Sequence, residues 1–153
     1  MNNDIKVHED TPAIWGLDVA RQGSDSSVLA KRQGPIIHPL TVWRNLDLMQ
    51  LTGAVKAEYD AIDNPAKRPV EIIVDSNGFG AGVLDRLREL DLPARGLNVS
   101  ERALQKETYL NLRAELWFKV KSWLEGMDVK LPRDDALWAE SVSYTHLRAH
   151  ETR

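Results

Sequence analysis

Two aspartates stand where a carboxylate is least expected in this chain of 153 residues. Asp18 lies within an apolar run, AIWGLDVA (residues 13–20), and Asp75 closes another, VEIIVD (residues 70–75). A carboxylate in such a setting costs several kcal/mol unless something compensates its charge. Side chains alternate along a strand, so Gly16 and Ala20 share the face of Asp18. Neighbours that small leave room for a metal ion and a phosphate. Asp75 stands just before a glycine-rich turn, at the carboxyl end of a strand expected in the middle of a sheet, where ligands of α/β folds collect. Two such carboxylates on neighbouring strands tolerate each other with a cation between them, and hard oxygen donors select magnesium or manganese. Asp25, in the turn GSDSS, is a third candidate metal ligand. Each also has an ordinary role open to it: Asp18 bonding the turn at residues 23–26, Asp75 capping the helix that follows, Asp25 capping its own turn.

Other residues carry weaker signals. Gly78, Gly80 and Gly82 (GFGAG) suggest a dinucleotide loop, but the spacing is not GxGxxG and no acidic residue ends a later strand at the required distance. Arg21, Lys31, Arg32 and Arg44 could meet phosphates near the first hairpin, or be solvated like most surface cations. Trp117, Trp123 and Trp138 suit a core or a docking surface better than a base-stacking platform. His146, His150 and Glu151 have helical ligand spacing. They lie in a terminal segment, SYTHLRAHETR, that breaks off the preceding pattern and resembles translated sequencing-adaptor DNA, so they are not counted as a metal site.

The elements that must position these residues follow from periodicity. Residues 13–20 and 27–32 read as an antiparallel hairpin, and residues 36–44 (IIHPLTVWR) as a third strand with Pro39 marking an edge or a bulge. Leu48, Leu51, Val55, Tyr59 and Ile62 recur at steps of three and four, which predicts an amphipathic helix over residues 47–63, stopped by Asn64-Pro65. Residues 70–75 are a short β-branched strand of the kind covered on both faces. Val83, Leu84, Leu87 and Leu90 give the next helix its apolar stripe. A strand over residues 94–99, a long helix over residues 104–125 ended by Gly126, a short strand at 129–132 and a helical start at 135–140 complete the order. A three-strand antiparallel meander followed by alternating helices and parallel strands describes a mixed α/β sheet with helices on both faces.

Composition sets the outer limits. At 42% hydrophobic and 28% charged residues, the length suits one layered domain with a real core, and leaves no room for a two-lobed enzyme. The 20 Lys and Arg against 23 Asp and Glu, a net charge of −3, exclude a protein that grips nucleic acid by bulk positive charge. Without cysteine there is no disulfide framework and no thiolate zinc site, which favours a reducing compartment. No apolar run approaches the roughly 20 residues of a membrane span, and the first residues lack the regions of a signal peptide.

Three blocks, IWGLDVARQGSDSSVLAKRQG, IIVDSNGFGAGVLDRLREL and NLRAELWFKVKSWLEGMDVKLPRDDALWAE, in this order and spacing, resemble the C-terminal nuclease domain of the large terminase subunit of tailed bacteriophages. The likeness runs over residues 12–140, with Asn111-x-Arg113-Ala114-Glu115 its most distinctive part. It implies a ribonuclease H-like fold and a metal-dependent endonuclease that cuts concatemeric double-stranded viral DNA during packaging. The acidic positions of the family fall on Asp18 and Asp75, which would hold two magnesium or manganese ions for two-metal phosphodiester hydrolysis. The implied partners are the terminase ATPase domain, the small terminase subunit and the portal, in the host cytoplasm and transiently at the procapsid, with no membrane.

The departures from the family are also informative. Its third acidic ligand comes from a later segment and can be assigned to no residue here, since Asp134 and Asp135 come too early. No GxxxxGK[ST] loop of the ATPase domain occurs. The expectation is therefore a nuclease domain over residues 1–140, incomplete at its C-terminus, with residues 141–153 a non-native tail, and weak metal binding and cleavage. The alternatives are a Holliday junction resolvase-like nuclease, against which the NLRAE block argues, and a catalytically silent docking piece of the motor. The first block also resembles a phosphate loop of actin- and sugar-kinase-like ATPases, a fold whose second lobe this length excludes.

Overall fold

The computed structural model describes residues 5–20, 26–98, 104–105, 108–109, 111–126, 129–137 and 139. Asp25, Arg21, Trp138 and the segment 141–153 lie outside them, as does part of the turn 23–26 proposed for Asp18. Strand β1 (Ala13–Asp18) pairs antiparallel with β2 (Ser26–Gln33) from Ala13↔Gln33 to Asp18↔Val28, and the expected hairpin is there. The predicted third strand is split. Pro39 has no N–H to donate to a ladder, and on either side of it β3 (Ile36–Ile37) and β4 (Thr41–Arg44) pair with different halves of β2.

Helix α1 (Leu48–Asp60) begins one residue inside the expected boundary because Asp47 is its N-cap. The Asp47 carboxylate accepts from Gln50 N at 2.8 Å and the Gln50 side chain accepts from Asp47 N at 3.0 Å, a reciprocal capping box. The stop at Asn64-Pro65 is a 3₁₀ turn, Pro65–Lys67, capped by the Asn64 side chain. Strand β5 (Glu71–Asp75) then inserts parallel to β1, with Ile14↔Glu71 through Leu17↔Val74 in register. Helix α2 (Phe79–Glu89) returns along the sheet, and β6 (Ala94–Leu97) adds parallel to β5. Among the described residues the sheet has six strands in the order β3-β2-β1-β5-β6, with β4 also on β2.

One face of this sheet is the core. Trp15 and Leu17 of β1, Leu29 of β2 and Ile72 and Val74 of β5 alternate inward and meet Leu51 and Val55 of α1 and Val83 and Leu87 of α2, all of them buried. Each such aliphatic side chain contributes about 1.5–3 kcal/mol by leaving water. Helix α3 (Leu112–Glu125) is shorter than the periodicity predicts, because Asn111 caps it by accepting from Ala114 N at 2.9 Å, and residues 104–105 and 108–109 are not helical. It belongs to the other face: the Arg32 guanidinium, in register with Ile14 and so pointing away from the core, lies 5.0 Å from the centre of the Trp123 ring. Helices thus flank both faces, as expected. The short strand at 129–132 is a single parallel bridge, Ile36↔Lys130, at the edge of β3. Residues 135–137 begin a helical turn in which Asp134 accepts from Leu137 N at 3.0 Å. Among the described residues no helix is long and apolar enough to cross a membrane.

Candidate functional site

Asp18 is the last residue of β1 and Asp75 the last of β5, and each follows directly on the registered pair Leu17↔Val74. Adjacent strands lie about 4.8 Å apart, so the two aspartates stand side by side at the carboxyl ends of the two middle strands. Leu17 and Val74 face the core, and alternation turns both carboxylates to the opposite face. Asp18 is exposed and Asp75 half-buried. Among the described residues, a Cβ added to Gly16, the preceding residue on that face, meets no atom within 4 Å, which is the space that small neighbours were expected to leave beside Asp18. Ala20 is held instead by its backbone, its N–H donating to the buried Ser27 Oγ at 3.0 Å.

The turn after β5 is built around Asp75. Its Oδ1 accepts from Asn77 N at 3.1 Å, an Asx turn. Asp75 is not the helix cap: that position is Gly78, at φ +60, with no side-chain hydrogen bond. Gly80 allows α2 to begin directly against the end of β5, since a Cβ there would sit 1.7 Å from the Asp75 carbonyl oxygen. The glycine-rich sequence therefore serves a close approach between strand and helix that fixes the Asp75 backbone. Among the described residues no group of three or more His, Asp or Glu side chains gathers to hold a metal, so the described part of the site is a pair of carboxylates.

A third carboxylate was not singled out by the sequence. Glu115, in the NLRAE block, is fully buried in the first turn of α3. It accepts from Lys119 Nζ at 2.7 Å and from the backbone N–H groups of Leu104 (2.6 Å) and Gln105 (3.1 Å). The Lys119 hydrogen bond, aided by the two backbone donors against the cost of burial, holds its carboxyl below the usual glutamate range. Glu115 thereby ties α3 to the connection arriving from β6. The available signal was the Glu115/Lys119 spacing of four, which fits an exposed helical pair equally well. Of the candidate cations, Lys31 faces the core side, bonded to Glu58 and 4.9 Å from the Trp15 ring centre, and Arg32 is held by the Gly34 carbonyl at 2.8 Å and by Trp123.

The strand order, with β3 and β4 counted as one interrupted strand, is that of a ribonuclease H-like fold. No protein-family model and no curated protein matches the sequence. Solved structures that share its fold include nuclease domains of phage large terminase subunits. The large terminase nuclease of thermophilic phage G20c aligns with a TM-score of 0.68 in its magnesium-bound form, at 17% identity over 88% of this chain and 65% of that one. Its zinc-bound form gives 0.66, at 18% identity over 88% and 71%. The nuclease domain of the large terminase subunit gp2 of bacterial virus Sf6 gives 0.62, at 16% identity over 75% of this chain and 54% of that one. The chain spans about half the length of the Sf6 domain.

Proposed function

We propose that this chain is a metal-dependent nuclease domain of a phage packaging motor, which hydrolyses phosphodiester bonds of double-stranded DNA, and that Asp18 and Asp75 are its metal ligands. The reading rests chiefly on the β1–β5 register, which sets two carboxylates side by side on the same face of a fold shared with nucleases solved with divalent metals bound. The donor set fits: two hard anionic oxygen groups at an open edge, with free space over Gly16. Bound there, magnesium or manganese, as a pair of ions in the full site, supplies the charge that polarises a phosphate and lowers the pKa of water. The chain's own part is positional. Asp18 and Asp75 face the same space. The turn from Asn77 to Gly80 holds Asp75 in place, and the bare Gly16 surface admits the phosphate. Asp25, from the hairpin turn, is a further ligand candidate in this reading.

The reading extends to cutting of concatemeric DNA within a terminase that also comprises an ATPase domain, a small subunit and a portal, in the host cytoplasm and at the procapsid. A plasmid-nicking assay in manganese tests the core of it. Nicking by the chain that disappears in both Asp18→Asn and Asp75→Asn supports the assignment. Nicking that survives both substitutions refutes it.

A further inference from the structure

All three arginines of the sheet point to the face that carries the acid pair, and two of them are engaged. Arg32 is in register with Ile14 and is held by Gly34 and Trp123. Arg95, in register with Ile73, forms a fork with Glu71, Nε to Oε1 at 2.5 Å and Nη2 to Oε2 at 3.2 Å. The third, Arg44, ends β4 and is exposed, and it makes no hydrogen bond, ion pair or ring contact among the described residues.

Its position follows from two ladders. Asp18 is opposite Val28, Val28 is opposite Val42, and Arg44 is opposite Ser26. Residues directly opposite in antiparallel strands share a face, so Asp18, Val28, Val42 and Arg44 lie on one surface, while Trp43 packs toward the core. Both β1 and β4 run antiparallel to β2, and Arg44 therefore stands two residues beyond the level of Asp18, at the same carboxyl edge of the sheet. Two strand spacings across and two residues along put the Cα atoms of Asp18 and Arg44 about 12 Å apart. A long arginine side chain and a phosphate group between them fill such a span. The strip that separates them carries Val28 and the half-exposed Val42 and, among the described residues, no carboxylate.

We infer that Arg44 is a DNA-phosphate subsite: its guanidinium holds a backbone phosphate flanking the one that lies at Asp18 and Asp75, and so sets the direction in which the strand crosses the sheet, from β1 toward β4. The planar guanidinium fork suits a phosphate's oxygens. This rests on the nuclease reading above. In a protein of net charge −3, one fixed cation at the edge of the acid pair has a disproportionate effect on where the polyanion lands.

The test is the affinity of the full chain for a fluorescein-labelled DNA duplex of random sequence, measured by anisotropy in calcium across a salt series, for the wild type, Arg44→Ala, Arg44→Lys and Asp18→Asn. Loss of one charge-assisted contact weakens binding roughly tenfold at low salt and lowers the slope of log K against log salt by about 0.9. Arg44→Lys keeps the slope and recovers part of the affinity, which a merely structural role for Arg44 does not predict. Unchanged affinity and slope in Arg44→Ala, with nicking still lost in Asp18→Asn, overturns the subsite and leaves the nuclease reading standing. A wild type that binds no duplex, together with nicking indifferent to Asp18→Asn, overturns both.

Discussion

The two ends of the central layer use carboxylates in opposite ways. In the first turn of α3, Glu115 is fully buried and surrounded by donors: an ammonium group and two backbone N–H groups. At the carboxyl ends of β1 and β5, Asp18 and Asp75 stand beside another carboxylate at an edge open to solvent, with Gly16 leaving the adjoining surface bare. A carboxylate that serves the fold is neutralised by the fold's own groups. Placing two like charges side by side costs stability, and the cost is understandable where a cation from outside completes the arrangement. On the proposed reading the first region serves the fold and the second the chemistry, and each substitution tests that division.

The largest expected effect is on cleavage. If Asp18 and Asp75 hold the cation as proposed, Asp18→Ala and Asp75→Ala each remove a ligand whose ion contributes several kcal/mol to the transition state, and each lowers the nicking rate about 10³-fold or more. The double variant falls little further, because the pair acts as a unit. Circular dichroism of both variants stays that of the parent.

Glu115→Ala does the reverse, acting first on stability. It leaves Lys119 and the N–H groups of Leu104 and Gln105 without their acceptor, and the melting temperature falls more than in either aspartate variant. The acid limb of stability has a definite sign. Because the folded Glu115 carboxyl titrates below its unfolded counterpart, its contribution is complete above the unfolded value and is lost as pH falls through the lower folded one. In Glu115→Gln that part of the acid dependence disappears, as thermal melts across the acidic range would register.

Gly80→Ala tests the link between fold and site. A methyl group 1.7 Å from the Asp75 carbonyl oxygen cannot be accommodated in place, so α2 or the end of β5 must shift, costing about 1–3 kcal/mol in urea unfolding and lowering nicking as well. Gly16→Ala is the mildest change. Its methyl meets nothing among the described residues, so stability is unchanged or rises by about 0.4–1 kcal/mol through the unfolded chain, while nicking falls if the space over Gly16 is where the phosphate lies.

Much of the molecule was legible in its sequence. The apolar alternation of β1, the unbroken β-branched run of β5 and the stripe Val83, Leu84, Leu87 each have a single good solution, and together they imply the sheet order and the position of both aspartates. Pro39 announced the interruption between β3 and β4, although only the pairing partner showed that one strand had become two. The extent of α3 was misjudged because apolar spacing before Asn111 mimics a helix, whereas the cap formed by Asn111 depends on backbone geometry. Whether Asp75 caps a helix or closes an Asx turn also lies beyond spacing: Asp, Asn and Gly suit either, and the approach of Gly80 to the strand end decides it. Burial of Glu115 had no sequence signature, since its acceptor role is set by residues 104–105 arriving from another element.

On the proposed reading Asp18 and Asp75 together hold a divalent cation. Calorimetric titration of manganese into the chain and its Asp18→Asn and Asp75→Asn variants tests it most directly. The expected result is binding by the parent that is lost in both variants, with the Glu115→Gln variant, compared below its melting temperature, binding as the parent does. No binding by the parent at millimolar manganese, or binding that persists unchanged in both aspartate variants, would contradict it.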